Sequence, residues 1–482
     1  MNSDWNRGFD HHRSYSRPRR AGQRRFMRRR LRLGRRGILA GLVGLILVSA
    51  LVYWQLPAIL RLVPSRYLAA YVPRAITDEQ FRNQPERLPT AAAPVDASSL
   101  LAAAPTAANP PTPTPVIITV GEAVVTNEAP AATAEPSPTA TLEPTATKPS
   151  TLVSAGAQAR LDGVRHEFQT WNNCGPTTLA MALSYFDLDL TQDDTAPILK
   201  PSTEDRNVST DELAAYVNDE TDLVAISRAN GDLDTLRQLL ANGVPVIIEI
   251  GIDPPGEYAW LEWYGHYLLV VAYDDDAEVI YTYDSWFGTS EVPGENATPD
   301  GRMMDYETLN TYWRQFNRNY VALYRPDQTQ IVEAILGDNM TDATMWQNSL
   351  AQTQAELSAE PDNGYLWFNL GTIYNALGEF DEAALAFDKA REIGLPWRML
   401  WYQFGPYQAY YETGRYEDVI VLADVTMGDR PYFEESFYFK GLAQIALGQV
   451  EEGRLNLQRS IAFNPNYQPA AEALADLDAN DN

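Results

Sequence analysis

The chain has 482 residues, 45% of them apolar and 11% aromatic, enough for more than one core, which excludes a globally disordered or collagen-like chain. The formal charge of -27 is uneven: residues 1–36 hold 13 Arg, no Lys and only Asp4 and Asp10 as acids, so the rest is strongly acidic. That excludes a nucleic-acid-binding body, because phosphate contacts need a basic surface. A single cysteine, Cys174, excludes an internal disulfide framework and any zinc site of several cysteines.

Residues 1–36 form a basic tail. Gly37 to Trp54 carry no charge, and Leu56 to Leu60 extend the apolar stretch after Gln55. The span 37–60 is long enough to cross a hydrocarbon core of roughly 30 Å. Large residues at its exit (Leu51, Tyr53, Trp54, Leu56) favour an uncleaved signal anchor over a cleaved signal peptide. The arginines before the span, against only Arg61 and Arg66 just after it, predict a single-pass cell-membrane protein. Its N-terminus is then cytoplasmic and its later domains extracytoplasmic.

Residues 61–154 are a juxtamembrane segment and linker. From Leu88 to Ser150 the chain is dominated by Pro, Thr and Ala and has no aromatic residue. Such a composition buries too little apolar area to offset ordering entropy and predicts an extended, disordered stalk. Val116 to Val120 (VIITV) is the one stretch in it able to pair as a strand.

A domain over 155–326 follows. His166 to Phe186 read HEFQTWNNCGPTTLAMALSYF, a helix former from Thr177 onward with Pro176 in its first turn. Cys174 then lies at a helix N-terminus, where dipole and free N–H groups favour the reactive thiolate. A helix is predicted over 232–242 with Gly243 as its stop, then strands at 244–250, 265–273 and 279–283. The last two form a hairpin around the acidic turn 274–277. It brings His266 and Asp284, 18 residues apart, side by side, with Asp284 orienting the ring and His266 taking the thiol proton. Gln169 is close enough to Cys174 to donate to an oxyanion. His166 is a second candidate imidazole without a clear acid partner. Trp171, Trp260, Trp263 and Trp286 surround these motifs and suit core packing more than a substrate groove. The acids Asp187, Asp189, Asp193 and Asp194 do not match a calcium-loop spacing. No metal or organic cofactor is indicated.

Gln169-Thr-Trp-Asn-Asn-Cys174-Gly-Pro, Gly265-His266-Tyr with its apolar run, and Tyr283-Asp284 together resemble the papain-like cysteine peptidases that cut bacteriocin double-glycine leaders, the C-39-like group. The resemblance implies an α+β papain-like fold with Cys174 as nucleophile, His266 as base, Asp284 as orienting acid and Gln169 at the oxyanion. It implies a peptide or protein substrate but does not carry over the leader sequence.

Residues 327–482 are predicted all-α. Gly378, Gly414 and Gly448 recur at spacings of 36 and 34, and Pro361, Pro396, Pro431 and Pro465 at 35, 35 and 34. The run Trp367-Phe-Asn-Leu370-Gly371-Thr-Ile-Tyr374 resembles the start of a tetratricopeptide (TPR) repeat. Two further units are more degenerate. A front helix at 341–359 and a capping helix at 467–478 complete the array, whose groove is expected to recruit a protein partner.

The expected whole is a membrane-anchored cysteine peptidase-like protein hydrolysing peptide bonds through a thiol acyl-enzyme. The alternatives are an inactive peptide-binding scaffold and an amidase or acyltransferase acting on cell-wall peptides.

Overall fold

The computed structural model describes residues 87–90, 96–102, 151–202, 207–253, 262–289, 300–429 and 431–480. The basic tail, the span 37–60, the stretch 116–120 able to pair as a strand and Trp260 lie outside these residues. No helix among the described residues is long and apolar enough to cross a membrane.

The first domain alternates helices with strands of one antiparallel sheet. In chain order its elements are β1 (Gln158–Arg160), α1 (Cys174–Ser184), α2 (Gln192–Leu199), α3 (Thr210–Glu220), β2 (Val224–Arg228), α4 (Leu233–Ala241), β3 (Val246–Ile252), β4 (Tyr264–Asp274), β5 (Val279–Asp284), β6 (Arg302–Asp305), α5 (Tyr306–Trp313), β7 (Tyr320–Tyr324) and α6 (Thr329–Leu336). The strand order is β2-β7-β3-β4-β5-β6, with β1 pairing β4 at the side.

Local chemistry explains these boundaries. The Asp232 carboxylate accepts from the Thr235 N–H at 2.6 Å and starts α4. Gly243, at φ 70°, turns the chain out of α4 and into β3. The central strands are apolar on both faces because both are covered. Ile247, Leu269 and Val321 pack with Leu179, Leu183 and Val217 from α1 and α3. Val246, Ile248 and Val270 pack with Leu236, Leu239 and Leu309 from α4 and α5 on the other side.

The C-terminal region is helical throughout: α7 (Asp342–Ala359), α8 (Gly364–Ala376), α9 (Phe380–Ile393), α10 (Gly405–Glu412), α11 (Tyr416–Asp429), α12 (Glu434–Ala446), α13 (Val450–Phe463) and α14 (Gln468–Asn480). Gly378, Gly414 and Gly448 take φ of 77°, 73° and 79° at the turns inside the three helical hairpins. The middle hairpin is irregular, with a 3-10 turn at Trp397–Trp401 ahead of the short α10.

Residues 87–90 and 96–102 depart from the disordered stalk expected there. Leu88, Ala97 and Leu100 are all buried in the core of the helical region. The Pro/Thr/Ala average over the linker hides these few apolar side chains, which suffice to dock the segment.

The helical region and the first domain meet over a broad junction. Trp263, just before β4, stacks on Phe316 and Tyr365 and meets Tyr402 edge-on. Its indole N–H donates to Gln315 Oε1 at 2.6 Å. Arg318 pairs with Glu356 of α7 at 2.6 Å, and Arg228 with Asp342 at 2.9 Å. The core-packing assignment therefore holds for Trp263. Replacing it with Ala should destabilise the protein by about 3–5 kcal/mol, measured by denaturant unfolding, and should loosen the junction as seen in hydrogen exchange of α7 and α8.

Candidate active site

The helix α1 begins at Cys174 itself, three residues ahead of the helix-forming run expected from Thr177. Its N-cap is Asn173, a residue type that normally satisfies first-turn N–H groups with its own side chain. Here it makes no such bond. Its amide nitrogen donates to Thr170 Oγ1 at 3.0 Å and Gln192 Oε1 at 3.2 Å, and its amide oxygen accepts from Lys200 Nζ at 3.2 Å. The first turn of α1 is thus left without a side-chain cap, beside the thiol.

The loop before Cys174 is pinned by two buried side chains. Gln192 Oε1 accepts from the Thr170 N–H and hydroxyl at 2.7 and 2.8 Å, while its Nε2 donates to Glu167 and to the Phe168 carbonyl. Lys200 Nζ donates to the Asn172 carbonyl at 2.5 Å. Asn172 is held at φ 56°, in the left-handed region.

The hairpin of β4 and β5 brings the other two residues together. Asp284 lies opposite Leu268 in the register, one pleat from His266. His266 Nε2 donates to Asp284 Oδ1 at 2.9 Å, and both side chains are nearly closed to solvent, 2% and 5% exposed. Asp284 Oδ1 also accepts from the N–H groups of Trp286 at 2.7 Å and Phe287 at 3.0 Å, and Arg302 lies 3.3 Å from Oδ2. With Nε2 committed to the carboxylate, Nδ1 is the ring nitrogen left for the thiol. His266 favours the negative form of Cys174, and Cys174 favours the charged form of the ring.

The electrostatics follow. Burial alone would raise the Asp284 pKa, yet the charge and hydrogen bond of His266, with Arg302 and the Phe287 N–H, hold it well below the usual carboxylate range. Burial opposes charge on His266 too, but Asp284 and Cys174 outweigh it and push the imidazole up to about 10. Burial likewise disfavours the thiolate, and the His266 hydrogen bond and charge, Lys200 and the Tyr267 N–H overcome it, so the Cys174 pKa falls below its ordinary value. Both partners shift in the direction of a thiolate–imidazolium pair.

Gln169 is 5% exposed and tied to the segment after Asp284. Its N–H donates to the Ser285 carbonyl at 2.8 Å, and its Oε1 accepts from the Ser285 hydroxyl at 2.8 Å. That fixes Oε1 towards Ser285 and leaves Nε2 as the donor on the opposite side of the amide. His166 packs outside the Cys174–His266–Asp284 chain. Its Nε2 meets the Asp284 carbonyl oxygen at 2.8 Å and its ring lies edge-on to Phe168 and Tyr283. Trp286 lies beside the His266 ring. Of the four acids read as a solvated turn, Asp193 and Asp194 start α2, and Asp189 pairs with Arg165. No group of three or more His, Cys, Asp or Glu among the described residues is arranged to hold a metal.

Sequence reading missed Gln192, Lys200, Arg302 and Glu249. The last is a carboxyl buried on β3, directly across from Tyr267. Burial, with the negative Cys174 nearby, pushes it up to about 8 against the opposing hydrogen bonds from Asn319 and Tyr267.

Residues 161–321, about a third of the chain, match the Peptidase_C39 like family, so this stretch is a C39-like domain. Among solved structures, the chain is similar to a Bacillus anthracis protein described as a C39-like peptidase. The identity is 15% over 35% of this chain and 98% of that one, with a TM-score of 0.27. No curated protein matches.

Two measurements test these electrostatics. Alkylation of Cys174 by iodoacetamide should stay fast well below the ordinary thiol pKa. In His266→Ala the uncompensated burial should raise the thiol pKa and slow alkylation at neutral pH by roughly tenfold or more. For Glu249, a folded-state pKa above the unfolded value means the native protein binds the extra proton. Its contribution to stability is present below about pH 4.5 and lost as pH rises through about 8. Glu249→Gln should flatten the fall in unfolding free energy across that window, read by denaturant titration at several pH values.

Proposed function

We propose that this chain is a thiol hydrolase that cleaves peptide bonds through an acyl-enzyme. The observation that carries the reading is the buried contact of His266 with an anionic Asp284, and it is supported by the lowered pKa of Cys174 at the start of α1. In this reading the Cys174 thiolate attacks the scissile carbonyl carbon, and its C–O π electrons move to oxygen. The uncapped first turn of α1, through the Cys174 N–H, and Gln169 Nε2 are the donors to that oxyanion. The His266 imidazolium gives its proton to the leaving amine as the C–N bond breaks. The neutral ring then takes a proton from water, whose hydroxide releases the acyl group and restores the thiolate. Asp284 keeps the ring orientation through both steps without taking the proton.

In the same reading the protein is held at the cell membrane by residues 37–60 with its later domains outside the cytoplasm, which the charge asymmetry around that stretch supports. The helical region belongs to the TPR class and recruits a protein partner or substrate, which the glycine-turned helical hairpins support.

The deciding experiment is turnover of a fluorogenic peptide library by wild type and variants. Cys174→Ala should abolish turnover and labelling by a thiol-directed acylating probe. Gln169→Ala should keep the labelling of Cys174 by small alkylating agents but lower kcat by about 10²–10³. Wild-type protein that turns over no peptide, while its thiol labels no faster than a free cysteine, would identify the domain as an inactive peptide-binding scaffold instead.

A further inference from the structure

Residues 87–90 and 96–102 lie on the helical region as a peptide ligand lies on a receptor, and the receptor side is built for main-chain recognition. Arg391 of α9 is 2% exposed. Its guanidinium donates through Nε to the Pro89 carbonyl at 2.7 Å and through Nη2 to the Thr90 carbonyl at 3.2 Å. Asp388, Asp418 and the Tyr410 hydroxyl hold that fork from behind. Gln354 of α7 donates to the Leu100 carbonyl at 2.8 Å. The Leu88 N–H donates to the Leu395 carbonyl at 3.0 Å, and Arg87 pairs with Pro396 as an antiparallel bridge. Carbonyl recognition by a buried, pre-positioned arginine fixes an extended backbone without reading its side chains.

Side-chain selection comes from apolar sites. Leu88, Ala97 and Leu100 sit 3%, 2% and 5% exposed in a cluster with residues such as Leu357, Leu366 and Leu395. Between the two anchors, Asp96 accepts from the Ser98 N–H and hydroxyl and starts a short helical turn at Ser99–Ala102. The segment also reaches the first domain. Arg87 forms one wall of a cavity of about 420 Å³ whose other walls include Asp253, Trp263, Tyr365 and Trp397.

Two features make this contact exchangeable. On its C-terminal side the segment continues into the Pro/Thr/Ala-rich linker, a composition that gains little by ordering. The docked piece itself gains three small or medium apolar burials and a few hydrogen bonds, against the ordering entropy of its own backbone.

We propose that Arg391, Gln354 and the Leu88 and Leu100 pockets form a peptide-docking surface that residues 87–90 and 96–102 occupy in cis. The external ligand that fits it is a peptide with one leucine-class anchor in an extended stretch and a second in a helical turn at that separation, which displaces the chain's own segment. On the anchor reading, docking also restricts the tether between span and helical region to residues 61–86. The inference does not depend on thiol chemistry, so it is tested in the Cys174→Ala background.

The experiment uses the full chain in detergent, with and without Leu88→Asp and Leu100→Asp to empty the surface. A fluorescent synthetic peptide of residues 87–102 is titrated by anisotropy, and hydrogen exchange follows both that segment and helices α7 to α9. The emptied chain should bind the peptide at least tenfold more tightly than the chain whose own segment is docked. Adding Arg391→Ala should remove that binding while α8 and α9 keep their protection. In the parent chain, the amides of Leu88, Leu100 and Leu101 should exchange more slowly than in the free peptide. Exchange there at free-peptide rates overturns the proposal whatever the variants do. Equal peptide binding by both chains, or none by an emptied chain whose helices stay protected, overturns it as well.

Discussion

The buried contact between Asp284 and His266 fixes the chemistry of the site. A carboxylate so enclosed is sustained only because several donors converge on it: the imidazole, two backbone N–H groups and, more distantly, the Arg302 guanidinium. Its charge pushes the neighbouring ring up, and the ring, with Lys200 and the Tyr267 N–H, pulls the Cys174 thiol below its ordinary value against the burial that opposes it.

Holding the thiol in line falls to a different set of residues. Asn173 stands at the N-cap of α1 but makes no side-chain cap bond. Gln192 and Lys200 take both ends of its amide for the loop instead. Lys200 also contributes a positive charge that favours the thiolate. Loop geometry and thiol electrostatics meet in Lys200, so replacing that side chain alters both.

What sequence made legible was local. A cysteine ahead of Gly-Pro and a helix former marks a helix start, and two apolar runs around an acidic turn mark a hairpin whose ends are His266 and Asp284. Asp232 and Gly243 likewise announce the ends of α4 through capping and a left-handed turn. Hidden were residues whose roles exist only across long separations in the chain. Gln192 stands in an acid-rich stretch that by itself suggests a solvated helix start, yet it reaches back to Glu167, Phe168 and Thr170. Glu249 sits in an apolar strand where its neutrality depends on burial by elements elsewhere. Leu88 and Leu100 vanish in a linker judged by average composition, although single leucines decide where such a chain docks.

The helical region bears on the site through contact close to the imidazole. Gly265 precedes His266, and a Cβ on it would come within 2.9 Å of the rings of Phe316 and Tyr402. The strand that carries the imidazole is thus pressed directly against the turn that follows Trp397–Trp401, with Trp263 wedged among Phe316, Tyr365 and Tyr402. Close-packed aromatic surfaces of this kind resist small displacements because each ring has few alternative seats. A shift of the middle helical hairpin must either break this packing or carry the beginning of β4 with it. The irregular second hairpin meets the strand that carries His266 through Tyr402, and its aromatic side chains are accounted for by that contact.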